Sequence, residues 1–497
     1  MKTLSRIVAT ALLVSAAPLA GQDRVPARLT LAQAIEIATS TNPGFLQTRN
    51  DADLADWDVR QAWGALAPSA NVSGGMSWQG SGEQQFGTIT LGDLGFTNQP
   101  SYYSSNYGLS LSLGLDLATV LGPRQAKAQR RTTIAGIQGA EWTLATQVTT
   151  GYVDVLRQED GVRITEQELA NAEFNFRLAQ GQLEVGQVTP IDVGQAEIQV
   201  GRAEVALLQA RNRATTSRMR LLQLLGLPVD QAFEPTTGFA LMEPTWSLSE
   251  LSAIALRDNP ELRSRRLFVE ASDVGVTSAW SSYLPSLSLS AGWSGFTREA
   301  SSNDFAIAQA QAQVAGQIQQ CVLTNDLYSR LTPPLPPLDC GSLAFTDAQR
   351  NAIISGNDQF PFNFVGSPPR LGLTVSIPIF SGLSRQRGLE AAKLARADGQ
   401  QRVREQELTV QADLAIGLEN VRTAYESALL EERNRELADQ QLRLARERYQ
   451  LGAITFVELT DAQTVLAQAE SALNIAVFAY HDSVTTLEAL LGTSLRF

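Results

Sequence analysis

A long internal duplication constrains this chain more than any other feature. Leu31, Asn42-Pro43, Trp63 and Leu66-Ala67-Pro68-Ser69 recur as Leu248, Asn259-Pro260, Trp280 and Tyr283-Leu284-Pro285-Ser286, each 217 residues later. Further on, Gly186, Thr189, Asp192, Ala203-Glu204, Leu207 and Leu225-Gly226 recur as Gly452, Thr455, Glu458, Ala469-Glu470, Leu473 and Leu491-Gly492, each 266 later. A period above 200 is too long for a solenoid unit and indicates a duplicated half-molecule. Each half reads as helices, strand, loop, strand, long helix, helix. The expected boundaries are a first repeat over 22–227, a linker over 228–246 and a second repeat over 247–497.

The N-terminus has the form of a secretory signal over 1–21: Lys2 and Arg6, an apolar run from Ile7 to Ala17, then small residues around Ala20 and Gly21. That run is too short to span a bilayer and is expected to be removed. Gln22 stands where an acylated cysteine would have to be, so no lipid anchor is expected. No later stretch of about 20 apolar residues follows, so any membrane crossing must use β-strands. Losing Lys2 and Arg6 takes the formal charge from −12 to −14, which disfavours nucleic acid. Cys321 and Cys340 lie in one irregular segment of an exported chain and are expected to form a local disulfide.

Four segments alternate with period two, the strand signal. Ala70, Val72, Gly74, Met76 and Trp78 oppose Asn71, Ser73, Gly75 and Ser77; Leu109, Leu111, Leu113 and Leu115 oppose Ser110, Ser112, Gly114 and Asp116. In the second half, Leu287, Leu289, Ala291 and Trp293 oppose Ser286, Ser288, Ser290 and Gly292, and Leu371, Leu373, Val375 and Ile377 oppose Gly372, Thr374 and Ser376. About nine to eleven residues is the length of a tilted membrane strand, with lipid on one face and water on the other. A soluble half-buried sheet shows the same alternation.

The helices decide between these. Proline-free stretches from about Arg124 to Val185 and from about Arg385 to Leu451 carry apolar residues at threes and fours. Some 60 residues rising 1.5 Å each make a rod of about 90 Å, more than a globular core can use. Each ends near a glycine, Gly186 or Gly452, and a partner helix starts at Thr189-Pro190 or Thr455, the signature of an αα-hairpin. Four strands cannot close a barrel alone, whereas identical chains can close one together. Three copies give twelve strands and a water-filled lumen; two give eight and a nearly filled one. Three is the expectation. The fold class expected is mixed α and β: a trimeric 12-stranded barrel continuing into a long α-helical coiled-coil tunnel.

In this order and spacing, these features resemble the TolC-type outer-membrane efflux family over about Leu29 to Gly492. The marks are Leu31 to Pro43 with Leu248 to Pro260, Pro378-Ile379-Phe380-Ser381-Gly382, and the tips Val185-Gly186-Gln187 and Tyr449-Gln450-Leu451-Gly452. The resemblance implies a homotrimer in the outer membrane of a Gram-negative bacterium, bounded by lipid and continued by a periplasmic tunnel. It also implies a periplasmic adaptor (membrane fusion) protein and an inner-membrane pump as partners, with the adaptor docking at Val185, Gly186, Gln187, Leu451, Gly452 and Ala453. No cofactor and no nucleic-acid partner is expected. The function implied is the exit duct of a tripartite efflux pump. A type I secretion duct is the alternative, and a periplasmic structural coiled-coil protein is the rival from another class.

Asp192, Glu458 and Asp461 follow the tips, where three chains would form carboxylate rings at a periplasmic constriction. Thr189-x-x-Asp192 and Thr455-x-x-Glu458 also fit N-terminal capping boxes, so both roles stand for those two. Asp461 lies beyond capping reach and is the better gate residue. The family's gate often has a basic partner at the tip, and Ala453 and Ile454 supply none. Trp63 and Trp280 read as packing anchors at helix-to-strand junctions, and His481 as a surface or packed histidine. Phe497 follows a helix and is not read as a barrel terminus. The second hairpin has an enlarged loop over about 294–369, either a partial cap on the barrel mouth or a tolerated insertion. One histidine excludes HExxH zinc chemistry and there is no phosphate loop or G-x-S-x-G, so an enzyme is not expected.

Overall fold

A computed structural model describes residues 25–82, 85–86, 88–90 and 99–496. The expected signal peptide and Phe497 lie outside the described residues. The first half contains β1 (Arg28–Leu29), α1 (Leu31–Thr41), α2 (Pro43–Gly64), β2 (Ser69–Gln79), β3 (Gln85–Phe86), β4 (Ile89–Thr90) and β5 (Tyr102–Leu115). The long hairpin α3 (Leu117–Glu184) and α4 (Pro190–Leu225) follows, then β6 (Glu234–Pro235). The second half contains α5 (Leu248–Asp258), α6 (Pro260–Trp280), β7 (Ser286–Ala300), α7 (Asp304–Ser329), α8 (Asp347–Gly356), β8 (Val365–Gly366) and β9 (Arg370–Ser376). It ends with the hairpin α9 (Ser384–Gln450) and α10 (Phe456–Leu491). Among the described residues no helix is long and apolar enough to cross a membrane.

The chain divides into two compact units. One comprises residues up to Val59, Arg124–Thr277 and Gly388 onward; the other comprises Arg60–Pro123 and Ser278–Arg387. In the first, the repeated Asn-Pro and Leu-Gly motifs form a joint made the same way in each half. Asn42 accepts the Phe45 amide (2.9 Å) at the start of α2 and donates to the Leu224 carbonyl (2.7 Å) at the end of α4. Asn259 accepts from Leu262 (2.8 Å) and donates to Leu490 (2.9 Å). One side chain thus satisfies an orphan donor of a starting helix and an orphan acceptor of an ending one. The proline after each asparagine opens the new helix at a position with no N–H to lose. Gly226 and Gly492 terminate α4 and α10 at φ 75° and 73°. A Cβ there would meet the carbonyl oxygens of Thr41 at 2.5 Å and Asp258 at 2.6 Å, so only glycine fits.

Around each joint lies a core. Leu31, Ala34, Val148, Tyr152, Leu221 and Leu225 pack in the first half, and Leu251, Ala255, Leu414, Leu418, Tyr480 and Leu487 in the second. Each fully buried leucine contributes roughly 2 kcal/mol. The Tyr152 hydroxyl donates to Leu29 (2.8 Å) and accepts the Thr236 and Thr237 amides (2.8 and 2.9 Å). Tyr480 donates to Met242 (2.7 Å). Residues 228–246, expected as a linker, run as a strap bound to both cores: β6 pairs in parallel with β1, and Phe239 meets Tyr152 edge-on and lies tilted against His481. His481 is packed, only 2% exposed among Phe239, Phe478 and Tyr480.

The helices exceed their expected bounds. Asp116 caps α3 by accepting from the Thr119 amide and hydroxyl (2.6 and 2.8 Å), which moves the start ahead of Pro123; proline in this position costs one intrahelical bond. At 1.5 Å per residue, the 68 residues of α3 extend about 100 Å.

The second unit is an antiparallel sheet in the order β2-β5-β7-β9, with the short β8 also pairing β7. Register places Val72, Leu109 and Trp293 side by side on one face, with Leu289 and Leu373 further along it. The other face carries Asn71, Ser110, Gly292 and Arg370, then Ser288 and Thr374. The strands differ from a uniform nine to eleven residues: β5 has 14 and β7 has 15, whereas β9 has 7. β9 is short because Pro368-Pro369 lacks the N–H groups that would join it to β8. β2 and β9 are the open edges. Trp63 and Trp280 are 54% and 51% exposed. The part of the enlarged loop outside the sheet runs from 301 to 364 and contains α7 and α8; within it Cys321 is bonded to Cys340.

Candidate functional site

The helical tips are built by identical local geometry. Gly186, at φ 73°, donates to Leu183 (2.9 Å) while Gln187 donates to Gln182 (2.9 Å); Gly452, at φ 71°, donates to Tyr449 (3.0 Å) while Ala453 donates to Arg448 (2.9 Å). This paired pattern ends a helix by returning two orphan carbonyls to the turn. Thr189 and Thr455 then start α4 and α10 with complete capping boxes. Asp192 accepts from the Thr189 amide and hydroxyl (2.8 and 2.7 Å), and Glu458 from those of Thr455 (2.7 and 3.0 Å). These bonds favour the charged forms. The Thr189 hydroxyl, then its amide, lowers the Asp192 pKa; the Thr455 amide, then its hydroxyl, lowers that of Glu458. Both carboxylates therefore cap helices.

Asp461 makes no capping bond. It lies on the exposed side of α10 and lines an open cleft with Gln195 and Arg202 of α4, Val457 and Thr464. Arg202 is thus a basic neighbour for the acidic tip, contributed by the other hairpin. The residues flanking Gly452 gave no hint of it, because it comes from a distant part of the sequence.

Beneath the tips, the two hairpins are bound together. Ala179, Ala196, Leu442, Tyr449, Phe456 and Leu459 form one apolar cluster. Tyr449 donates to Gln182 (2.7 Å), Asn175 to Gln463 (2.6 Å) and Arg446 to Asn171 (3.0 Å). Burial, then the nearby Asp192 charge, raises the Tyr449 pKa. Tyr449 stands in the sequence only as part of the tip motif; its cross-hairpin bond depends on a partner 267 residues away. One turn further in, a cavity of about 280 Å³ is lined by Glu168, Asn175, Arg202, Gln463 and Glu470 among others. Burial, then the charge of Glu470, raises the Glu168 pKa. Burial raises that of Glu470 against Arg435 and Arg163, with Asp439 adding to the rise. Among the described residues no group of three or more His, Cys, Asp or Glu could hold a metal.

Two apolar seams leave the chain uncovered. Ile191, Ile198 and Val205 repeat every seventh residue on α4 and are 71%, 57% and 54% exposed. Leu430, Leu437, Leu444 and Leu451 do the same along α9 and past its end, at 57% to 83%. Exposed apolar residues at heptad spacing are the pattern of a coiled-coil face.

The family described as "Outer membrane efflux protein" matches residues 34–227 and 358–493, more than half of the chain. The chain belongs to this family. The outer membrane is accordingly its location, and 228–357, which holds most of the enlarged loop, is the part outside the match. Outer membrane efflux protein BepC of Brucella suis is 26% identical over 290 residues, 58% of this chain and 60% of that protein. Outer membrane protein TolC of Vibrio cholerae is 26% identical over 264 residues, 53% of this chain and 57% of that protein. The chain thus aligns with about three-fifths of the length of these relatives. The crystal structure of CusC superposes with a TM-score of 0.67 at 17% identity, covering 93% of this chain and 92% of that one, which shows a shared fold.

Proposed function

We propose that this chain is the outer-membrane exit duct of a tripartite efflux pump: a passive channel, not an enzyme, closed by three copies. The observation that carries the reading is the sheet. One face is apolar, the other Ser/Gly-rich, and both edges are open, an arrangement that further strands complete by closing the sheet into a barrel. Three copies supply twelve strands in a closed barrel, with the apolar face toward lipid. The α4 and α9 seams give the helices a complementary means of closure: one copy presents a seam to the different seam of the next, as cyclic symmetry requires. An energised inner-membrane transporter drives cargo through a periplasmic adaptor that docks at the tips Val185–Gln187 and Leu451–Ala453. The first repeat then covers 22–227 and the second 247–497, behind a cleaved signal peptide at 1–21.

In this reading Asp461 belongs to the periplasmic constriction, and Asp192 and Glu458 add negative potential there while capping. Three chains place nine carboxylates around the opening, where their fields add and concentrate cations. Planar-bilayer recording of Asp461→Ala tests this. The variant should assemble normally and show changed conductance or lower cation selectivity. Conductance, selectivity and cation block all matching wild type would remove Asp461 from the gate. Absence of any channel from the wild-type protein would remove the duct.

A further inference from the structure

The geometry points to the 301–364 insertion being strapped to the outward, apolar face of the sheet, with Phe362 seated in the lipid of the outer leaflet and not over the channel mouth. This rests on the barrel reading above.

Strand register identifies the face. Leu109, opposite Trp293, lies on the apolar side, and residues of the same parity on β5 and β7 share it: Tyr103, Ser105 and Tyr107 opposite Glu299, Thr297 and Gly295. The returning arm of the insertion crosses these six residues. The Glu299 carboxylate accepts the Gln359 and Phe360 amides (3.2 and 2.8 Å), and the Ser105 hydroxyl donates to the Pro361 carbonyl (2.5 Å). Phe360 lies 5.5 Å from the Tyr103 ring, and Phe364 meets Tyr107 edge-on at 4.9 Å. Tyr107 can lie flat across Gly295 because that position has no Cβ; one would meet the ring at 2.5 Å. Ser105 and Thr297, which share a 2.7 Å hydroxyl contact, are 3% and 0% exposed beneath the arm. Asn357 anchors the arm's start by pairing with both the amide and the carbonyl of Ala300 (2.7 and 2.8 Å). A cap over the lumen would instead emerge on the Ser/Gly face.

The arm is thus held against the surface that hydrocarbon must cover in an outer-membrane barrel. Phe362 is 72% exposed, at the end of the sheet where the same face carries the paired Trp78 and Tyr103. Aromatic side chains in such a row sit at a membrane interface. Lipid is therefore the occupant this surface fits.

The test uses the full-length protein with its native disulfide intact, so that one added cysteine is the only free thiol. Phe362→Cys carries a nitrobenzoxadiazole label in phosphatidylcholine vesicles. Leu371→Cys on the apolar face and Thr374→Cys on the Ser/Gly face serve as references. Nitroxide-bearing lipid should quench positions 362 and 371 at least threefold more than a water-soluble nitroxide does, with the order reversed at 374. Adding Glu299→Ala and Asn357→Ala should release the arm and reduce lipid quenching at 362 at least twofold. If 362 behaves like 374 while 371 faces lipid, the strap is wrong and the barrel stands. Quenching at 362 that ignores the double release also overturns the strap, because the label alone then seeks lipid. If 371 does not face lipid, the barrel reading and the strap fall together.

Discussion

Four glycines terminate the four long helices with nearly the same backbone, φ between 71° and 75°, yet they stand in two different settings. At the joint, Gly226 and Gly492 lie against the carbonyls of Thr41 and Asp258; at the tips, a Cβ on Gly186 or Gly452 would find nothing within 4 Å. The joint is an interior, tied by asparagine, tyrosine and a strap of chain. The tips are a surface, capped locally and left free.

The largest expected effect separates these settings. Gly226→Ala or Gly492→Ala should each cost about 4 kcal/mol, because the strained φ is compounded by a backbone clash. Gly186→Ala or Gly452→Ala should cost about 1 kcal/mol, the strain alone. Thermal or denaturant unfolding of the four variants checks this, and equal costs would erase the distinction.

Acid should also strike the joint first. Burial, then the positive charge of Arg496, lowers the His481 pKa to about 4. Below its unfolded value of 6.5 the unfolded chain takes up a proton that the native state refuses, so stability falls as pH drops from 6.5 toward 4, by up to ~3 kcal/mol. The lowered carboxylates at the tips lose their contribution only as pH falls below the ordinary carboxylate range. His481→Phe should flatten the loss between pH 6.5 and 4 and leave the lower limb in place. Unfolding curves at pH 7, 5.5 and 4.5 provide the measurement.

The shared asparagine bond allows a finer comparison of the two halves. Asn42→Ala and Asn259→Ala each strand a helix-start amide and a helix-end carbonyl, at a cost of about 2 kcal/mol. Similar costs would mean the two joints work alike; a much smaller one at Asn42 would show that the Thr41 hydroxyl, which donates to Leu225 at 2.5 Å, carries the first joint. Smallest of all, Thr189→Ala and Thr455→Ala should cost about 1 kcal/mol each by removing a cap at a tip, without altering the joint.

The strand faces, the hairpins and the capping boxes are legible in the sequence, because each rests on local periodicity or on residues three apart. What it concealed depends on distant partners. Asn42 and Asn259 were visible as motifs, but their bonds reach helices more than 180 residues away. Arg202 and Asp461 line one cleft across two hairpins, so neither tip alone reveals that they lie together. The Ile191 and Leu430 seams were lost among alanine-rich stripes, because a heptad looks the same whether its own chain or another covers it.

A closed duct requires further copies to complete the open sheet and the two helical seams. Mass measurement of the detergent-solubilised, full-length protein tests this most directly. A single species of three chains is the predicted result. A stable monomer or dimer as the sole species would contradict it, leaving the β2 and β9 edges and the heptad seams without the partner the duct requires.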